Sequence, residues 1–251
     1  MKLYKYRDFS VAGDEPFERL ADILRHNAFW CARPSTLNDP TEFLWECDYE
    51  PTDTTVSLLT QTLVQFLSKT PAEAHVMAAA AVSNRRIEVH ARPAFQGMIE
   101  RCRNEIGLAC FGTSSDNPVM WKRYGGGGAG VCVEIYVPPE LLNNHIFPVE
   151  YPPTRLLHVD QLLRACSDST SAEAKTVYSV ALLSKPACWA PEAEVRFVSK
   201  RQGVSVQISG SFLSRIVLGQ NLSAYARQKI QDLVQSLSSP LPLSFHERSA
   251  R

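Results

Sequence analysis

Glu192-Ala193-Glu194-Val195-Arg196 sets two carboxylates and a guanidinium at alternate positions of this 251-residue chain. In a strand, residues two apart share a face, so two carboxylates and a guanidinium at i, i+2 and i+4 point to one side. Facing water, they form a charged surface. Lining a cleft, they form an acid–base or ribose-binding set. Asn38-Asp39-Pro40, with Glu42 just after, reads most simply as the cap of a helix beginning near Pro40. Met120-Trp121-Lys122-Arg123-Tyr124 reads as a core aromatic with solvated basic neighbours. Lys122-Arg123, Arg85-Arg86 and the Arg101, Arg103 pair are either anion-binding patches or plain surface.

Other candidate motifs fail on context. Gly125, Gly127 and Gly130 satisfy G-x-G-x-x-G formally, but they follow a helical segment and precede a strand, the reverse of a dinucleotide fingerprint. No Lys-Ser or Lys-Thr follows Gly130, so a Walker loop fails too. The run reads as a turn whose backbone can approach a neighbour closely. No Gly-x-Ser-x-Gly or Ser-x-x-Lys supports a serine nucleophile. The seven cysteines are odd in number and no two stand as Cys-x-x-Cys, and the six histidines are scattered, so no metal site is expected. Cys110 and Cys132 lie in apolar runs and read as small core residues.

The elements that must position these residues follow from periodicity. Leu3 to Arg7, Ala28 to Ala32, Leu108 to Gly112, Val131 to Val137, Ile146 to Tyr151, Glu194 to Val198, Val204 to Ile208 and Ile216 to Leu218 read as strands. Phe17 to His26, about 56 to 103, Pro118 to Tyr124, 157 to 183 and Ala224 to Leu237 read as helices. Strand and helix do not alternate strictly, so the expected class is α+β rather than a doubly wound parallel sheet. We expect one domain over 1–243, with a central mixed or antiparallel sheet, flanking helices and a helical insertion over about 52–106. Tyr4 to Arg7, Leu108 to Gly112, Val131 to Val137 and Glu194 to Val198 should share that sheet. Residues 244–251 read as a polar, fraying tail.

Composition narrows the function classes. Lys and Arg total 26 against 26 Asp and Glu, so the chain lacks the global positive field of many nucleic-acid binders. Hydrophobic residues make up 45% and charged residues 21%, an ordinary globular mix. No apolar run approaches the roughly 18 residues of a membrane span. The polar start MKLYKYRDFS lacks the core of a secretory signal, so a cytoplasmic protein is expected.

Taken in order, Tyr4-Lys5-Tyr6-Arg7, Asn38-Asp39-Pro40-Thr41-Glu42, Cys110-Phe111-Gly112, Met120-Trp121 to Tyr124, and Lys185, Trp189, Glu192, Glu194, Arg196 resemble a bacterial family classed as a domain of unknown function. The resemblance spans about residues 4 to 220 and departs at the glycine run, where the family pattern has a histidine before the strand. The outline is also similar to that of ADP-ribosyltransferases, especially the toxin branch that modifies nucleic acid. Their early strand with Arg or His, central polar motif and late strand with the catalytic Glu would fall on Arg7, Asn38-Asp39 and Glu194. Glu192-x-Glu194 resembles the paired glutamates of arginine-directed members.

That likeness implies NAD as substrate, a protein or nucleic-acid acceptor, a toxin or phage-defence role, and a neutralising or regulatory partner protein. Glu194 would stabilise the oxocarbenium-like charge, Glu192 would act on the acceptor, and Arg7 would grip the pyrophosphate. Asn38 and Asp39 would help hold NAD, and Trp121 or Tyr124 would stack on nicotinamide. Two other readings stay open. One is a hydrolase or nuclease in which Asp39, Glu42, Glu192 and Glu194 converge on a divalent metal. The other is a non-catalytic module that binds a nucleotide or a partner protein.

Overall fold

Buried apolar runs form the central strands, and side-chain caps open most helices, in the computed structural model, which describes residues 1–11, 13–39, 41, 44–142 and 144–246. In chain order these are β1 (Lys2–Arg7), α1 (Glu15–His26), β2 (Ala28–Cys31), β3 (Glu46–Asp48), α2 (Thr55–Leu67), α3 (Pro71–Ser83), α4 (Ile87–Glu105), β4 (Gly107–Phe111), α5 (Pro118–Tyr124) and β5 (Val131–Tyr136). They continue with β6 (Ile146–Pro148), β7 (Leu156–His158), α6 (Val159–Ser167), α7 (Ala172–Leu183), β8 (Val195–Ser199), β9 (Val204–Gln207), β10 (Phe212–Leu218), α8 (Ala224–Gln235) and β11 (Leu243–Phe245). The class is α+β.

The chain divides into two compact units, one of residues 1–33, 106–149 and 188–251, the other of 34–105 and 150–187. In the first, β1, β5, β10 and β11 form one sheet in that order, and β4, β8 and β6 form another. The four strands expected in a common sheet are therefore split. β1 and β5 pair antiparallel in one ladder, β4 and β8 in the other, and a single bridge joins Tyr4 to Gly112. A second bridge, Ala32 to Leu108, ties in the antiparallel β2–β9 pair, whose strands are distant in sequence. Burial on several sheet faces explains the split, because each apolar run needs a packed face but nothing in its pattern names its neighbour.

Val131, Val133 and Ile135 turn one face of β5 to a core that also takes Leu20, Ile23 and Leu24 of α1 and Ile230 and Val234 of α8. The opposite face carries Tyr4, Tyr6, Cys132 and Val217 against Met120 and Trp121 of α5. Helix α5 starts where Asn117 accepts from the Val119 and Met120 amides, with Pro118 at its first position. The tail expectation needs correction: Ser244 and Phe245 belong to β11, parallel to β10, while 247–251 lie outside the described residues.

The second unit gathers the helices expected over 56–103 together with residues 34–51 and 150–187. A Thr70–Glu73 capping box opens α3, as the Pro71 signal indicates. Asp160 at the start of α6 accepts from the hydroxyls of Thr52, Thr54 (2.8 Å) and Thr55 (2.6 Å), which pins the segment leading into α2. Residues 157 and 158, expected to be helical, instead lie in β7, which pairs with the unforeseen β3. No described helix is long and apolar enough to cross a membrane.

A basic cleft and the glutamates of the first unit

Leu3, Lys5 and Arg7 share one face of β1, so that face runs from an apolar end in the core to a basic end. The basic end opens into a cleft of about 330 Å³ lined by Lys5, Arg7, Arg19 and Arg123, with Tyr6, Trp30 and Tyr124 as its aromatic members and Asp8 and Glu15 as its carboxylates. The Arg19 guanidinium lies 3.3 Å from the centre of the Trp30 ring, a cation–π contact that fixes its orientation. Arg7 is half-buried, and its Nε meets no hydrogen-bond partner among the described residues. Burial, and then the nearby Arg19 cation, push Arg7 down to about 10, so it stays charged at neutral pH. Four cations thus line the cleft with Asp8 and Glu15; Arg19 pairs with Glu15 at 3.6 Å, whereas the Arg7 Nε–H is unanswered among the described residues.

The glycine run packs against this end of β1. A Cβ at Gly130 would lie 2.0 Å from the Arg7 carbonyl oxygen, and one at Gly126, where φ is +59°, would lie 2.1 Å from Asp8 Oδ1. Asn221 Nδ2 donates to the Gly127 carbonyl at 2.9 Å. The run follows α5 and precedes β5; Gly130 serves close approach to the β1 backbone and Gly126 close approach to the Asp8 carboxylate.

The two glutamates part company. Glu192 ends the 3₁₀ turn Ala187–Glu192, and Ala193 has φ of +45°, so the strand alternation begins only after it. The expected single face of Glu192, Glu194 and Arg196 is thereby corrected: the chain turns between the two carboxylates. Glu192, 1% exposed, accepts from Arg123 Nη1 at 2.8 Å and from the Tyr124 hydroxyl at 2.9 Å. Arg123 also lies over the Trp189 ring at 4.4 Å. Both of these Glu192 partners line the cleft. Glu194, 4% exposed, accepts from Arg196 Nε at 2.7 Å, and Arg196 is wholly buried. Lys5 connects this pair to the cleft: its Nζ donates to the Cys110 carbonyl at 2.8 Å, Cys110 faces Arg196 across the β4–β8 ladder, and the Glu194 charge favours the Lys5 ammonium.

Of the residues expected to meet, Arg7 and Tyr124 line the cleft, Glu192 is bonded to two of its walls, and Glu194 stands behind Lys5. Trp121 takes another place. It packs edge-on to Tyr6 at 5.3 Å, and its Nε1 donates to the Ser115 carbonyl at 2.7 Å, inside the aromatic cluster beneath α5. Asn38 and Asp39 belong to the second unit. There, Asp39 Oδ1 accepts from the amide (2.9 Å) and hydroxyl (2.7 Å) of Thr41, closing a turn rather than capping a described helix; Pro40 and Glu42 lie outside the described residues. Lys185 is buried in the second unit as well.

Cys132 is a core residue as expected, whereas Cys110 is only half-buried and sits beside Glu194, with burial pushing its thiol up to about 12. Among the described residues, no three His, Cys, Asp or Glu side chains group as metal ligands would. In the sequence, Lys5 stands only within Tyr4-Lys5-Tyr6-Arg7, without a role of its own, and Arg19 and Trp30 carry no mark as site residues. The i, i+2 spacing of Lys5 and Arg7 was the available signal for the first, while nothing local links Arg19 to Trp30. Compared with family models, curated proteins and solved structures, the chain matches none.

Proposed function

We propose that the cleft of the first unit binds the phosphates of a nucleotide, and that the protein is an ADP-ribosyltransferase-like enzyme acting on NAD. The observation that carries this reading is the Arg7 Nε, buried without a hydrogen-bond partner among the described residues, beside Lys5, Arg19 and Arg123. A pyrophosphate would answer the Arg7 N–H and neutralise the surplus charge, and guanidinium groups suit it because they offer paired donors. Tyr124 offers a ring at the cleft wall, and the Glu192 carboxylate behind it offers negative charge for an oxocarbenium-like centre. Glu194, held by Arg196, fixes the start of β8 from which Glu192 is presented.

The Glu194–Arg196 pair also favours a second reading, a module that binds the nucleotide without turning it over, because that carboxylate is already committed to a buried partner. Calorimetric titration with NAD and ADP, followed by measurement of nicotinamide release with protein and nucleic-acid acceptors, separates the two. Binding with release supports transfer, binding without release supports the module, and no binding of either nucleotide overturns both.

A further inference from the structure

Lys5 is the only amine among the described residues lining the cleft, and the reading above gives it no task beyond its charge. One N–H is anchored on the Cys110 carbonyl at 2.8 Å, and the nitrogen stands 5.5 Å from the centre of the Phe111 ring. The amine is therefore fixed in place against an aromatic face, at the wall of a cavity whose other cations are guanidinium groups. A lysine desolvated and set beside another cation is a nucleophile, because both conditions raise the share of free amine. Here burial, and then the Arg7 charge, push Lys5 down to about 8, with Cys110, Glu194 and Cys31 acting in the opposite sense. Roughly a tenth of the amine is then neutral at pH 7.

We propose that Lys5 captures small aldehydes or ketones that carry a phosphate group, forming an imine while the neighbouring arginines hold the phosphate. This goes beyond the nucleotide reading and does not require NAD turnover. The two share only the cations that hold phosphate. In the step itself the amine lone pair forms the N–C bond as the carbonyl π pair moves to oxygen. The C–O bond then breaks, and two N–H protons leave with the oxygen as water. Net, the ammonium and the carbonyl give a protonated imine and one water, with no electrons gained or lost. The protonated imine keeps one N–H, which can retain the bond to the Cys110 carbonyl.

Pyridoxal 5′-phosphate at less than one equivalent, with sodium cyanoborohydride to reduce the imine to a stable secondary amine, is a direct probe, and peptide mass mapping locates the adduct. The expected result is label on Lys5 ahead of every other lysine, at least about tenfold faster than with pyridoxal, which lacks the phosphate. Arg19→Ala should slow labelling at Lys5 and leave labelling of the exposed lysines alone. Label spread evenly over the lysines, or an equal rate with pyridoxal, overturns the proposal. Titration of the same protein with NAD keeps the two readings apart: nucleotide binding without Lys5 labelling removes only the imine, and labelling without nucleotide binding removes only the NAD reading.

Discussion

Glu134 and Arg7 stand on the paired strands β5 and β1 of one sheet, and their surroundings could hardly differ more. Glu134, 2% exposed, accepts from Lys2 Nζ at 2.9 Å, Ser214 Oγ at 2.7 Å and Arg215 Nε at 2.9 Å. Burial alone would raise its pKa, but these donors outweigh burial and hold it at about 2. Arg7, on the opposite face, has a buried Nε without a partner among the described residues and another arginine for a neighbour. A folded chain has no stability reason to keep such a group, since an unanswered buried donor costs free energy. The contrast sets charge answered by protein partners against charge that, in the nucleotide reading, a ligand would answer.

The largest effect is expected where both charges of a pair are buried. Arg196 is wholly buried on Glu194, so Arg196→Ala strands a buried carboxylate and should cost about 4 kcal/mol in denaturant unfolding. The double change Glu194→Leu with Arg196→Met removes both charges and should recover most of that loss. A single variant as stable as wild type would show that the pair does not serve the fold, and Glu194 would return as a candidate for chemistry.

Glu134→Gln should cost about 2 kcal/mol, less than the first change because Lys2 and Arg215 reach solvent and can rehydrate. The pH dependence has a definite sign. The carboxylate is depressed from 4.5 to about 2, so its contribution is complete above pH 4.5 and is lost as pH falls towards 2. Acid unfolding followed by circular dichroism should therefore show the difference between wild type and Glu134→Gln shrinking across that window. A constant difference would mean that the ion contacts are not its source.

Part of the fold was legible in the sequence, and the remainder was not for physical reasons. The apolar run Val131 to Val137 and the proline that opens Pro118 to Tyr124 mark elements through local chemistry, which is why β5 and α5 stand where expected. Strand partners are non-local, so periodicity could not divide β1 and β5 from β4 and β8. Ala193 hid the turn that parts Glu192 from Glu194, because a left-handed alanine carries no mark in the sequence. Trp121 was ambiguous from the start, since a stacking platform and a core aromatic are the same residue type. Short, half-exposed β11 lacks the length that makes a strand visible.

The smallest expected change in stability tests the other half of the comparison. Arg7→Met keeps an unbranched side chain that reaches about as far as Nε and removes a guanidinium whose Nε has no partner among the described residues. If that charge waits for a ligand, its loss should leave unfolding free energy within about 0.5 kcal/mol of wild type, or raise it, because no protein hydrogen bond at Nε is given up. Affinity for NAD or inorganic pyrophosphate should fall about tenfold, equivalent to about 1.4 kcal/mol, with the loss smaller at high salt as screening weakens the remaining cations. Melting curves with and without pyrophosphate measure both quantities on one sample. A variant that loses stability as Arg196→Ala does, yet binds pyrophosphate as wild type does, would place Arg7 with Glu134 among the charges of the fold and leave the cleft without its ligand.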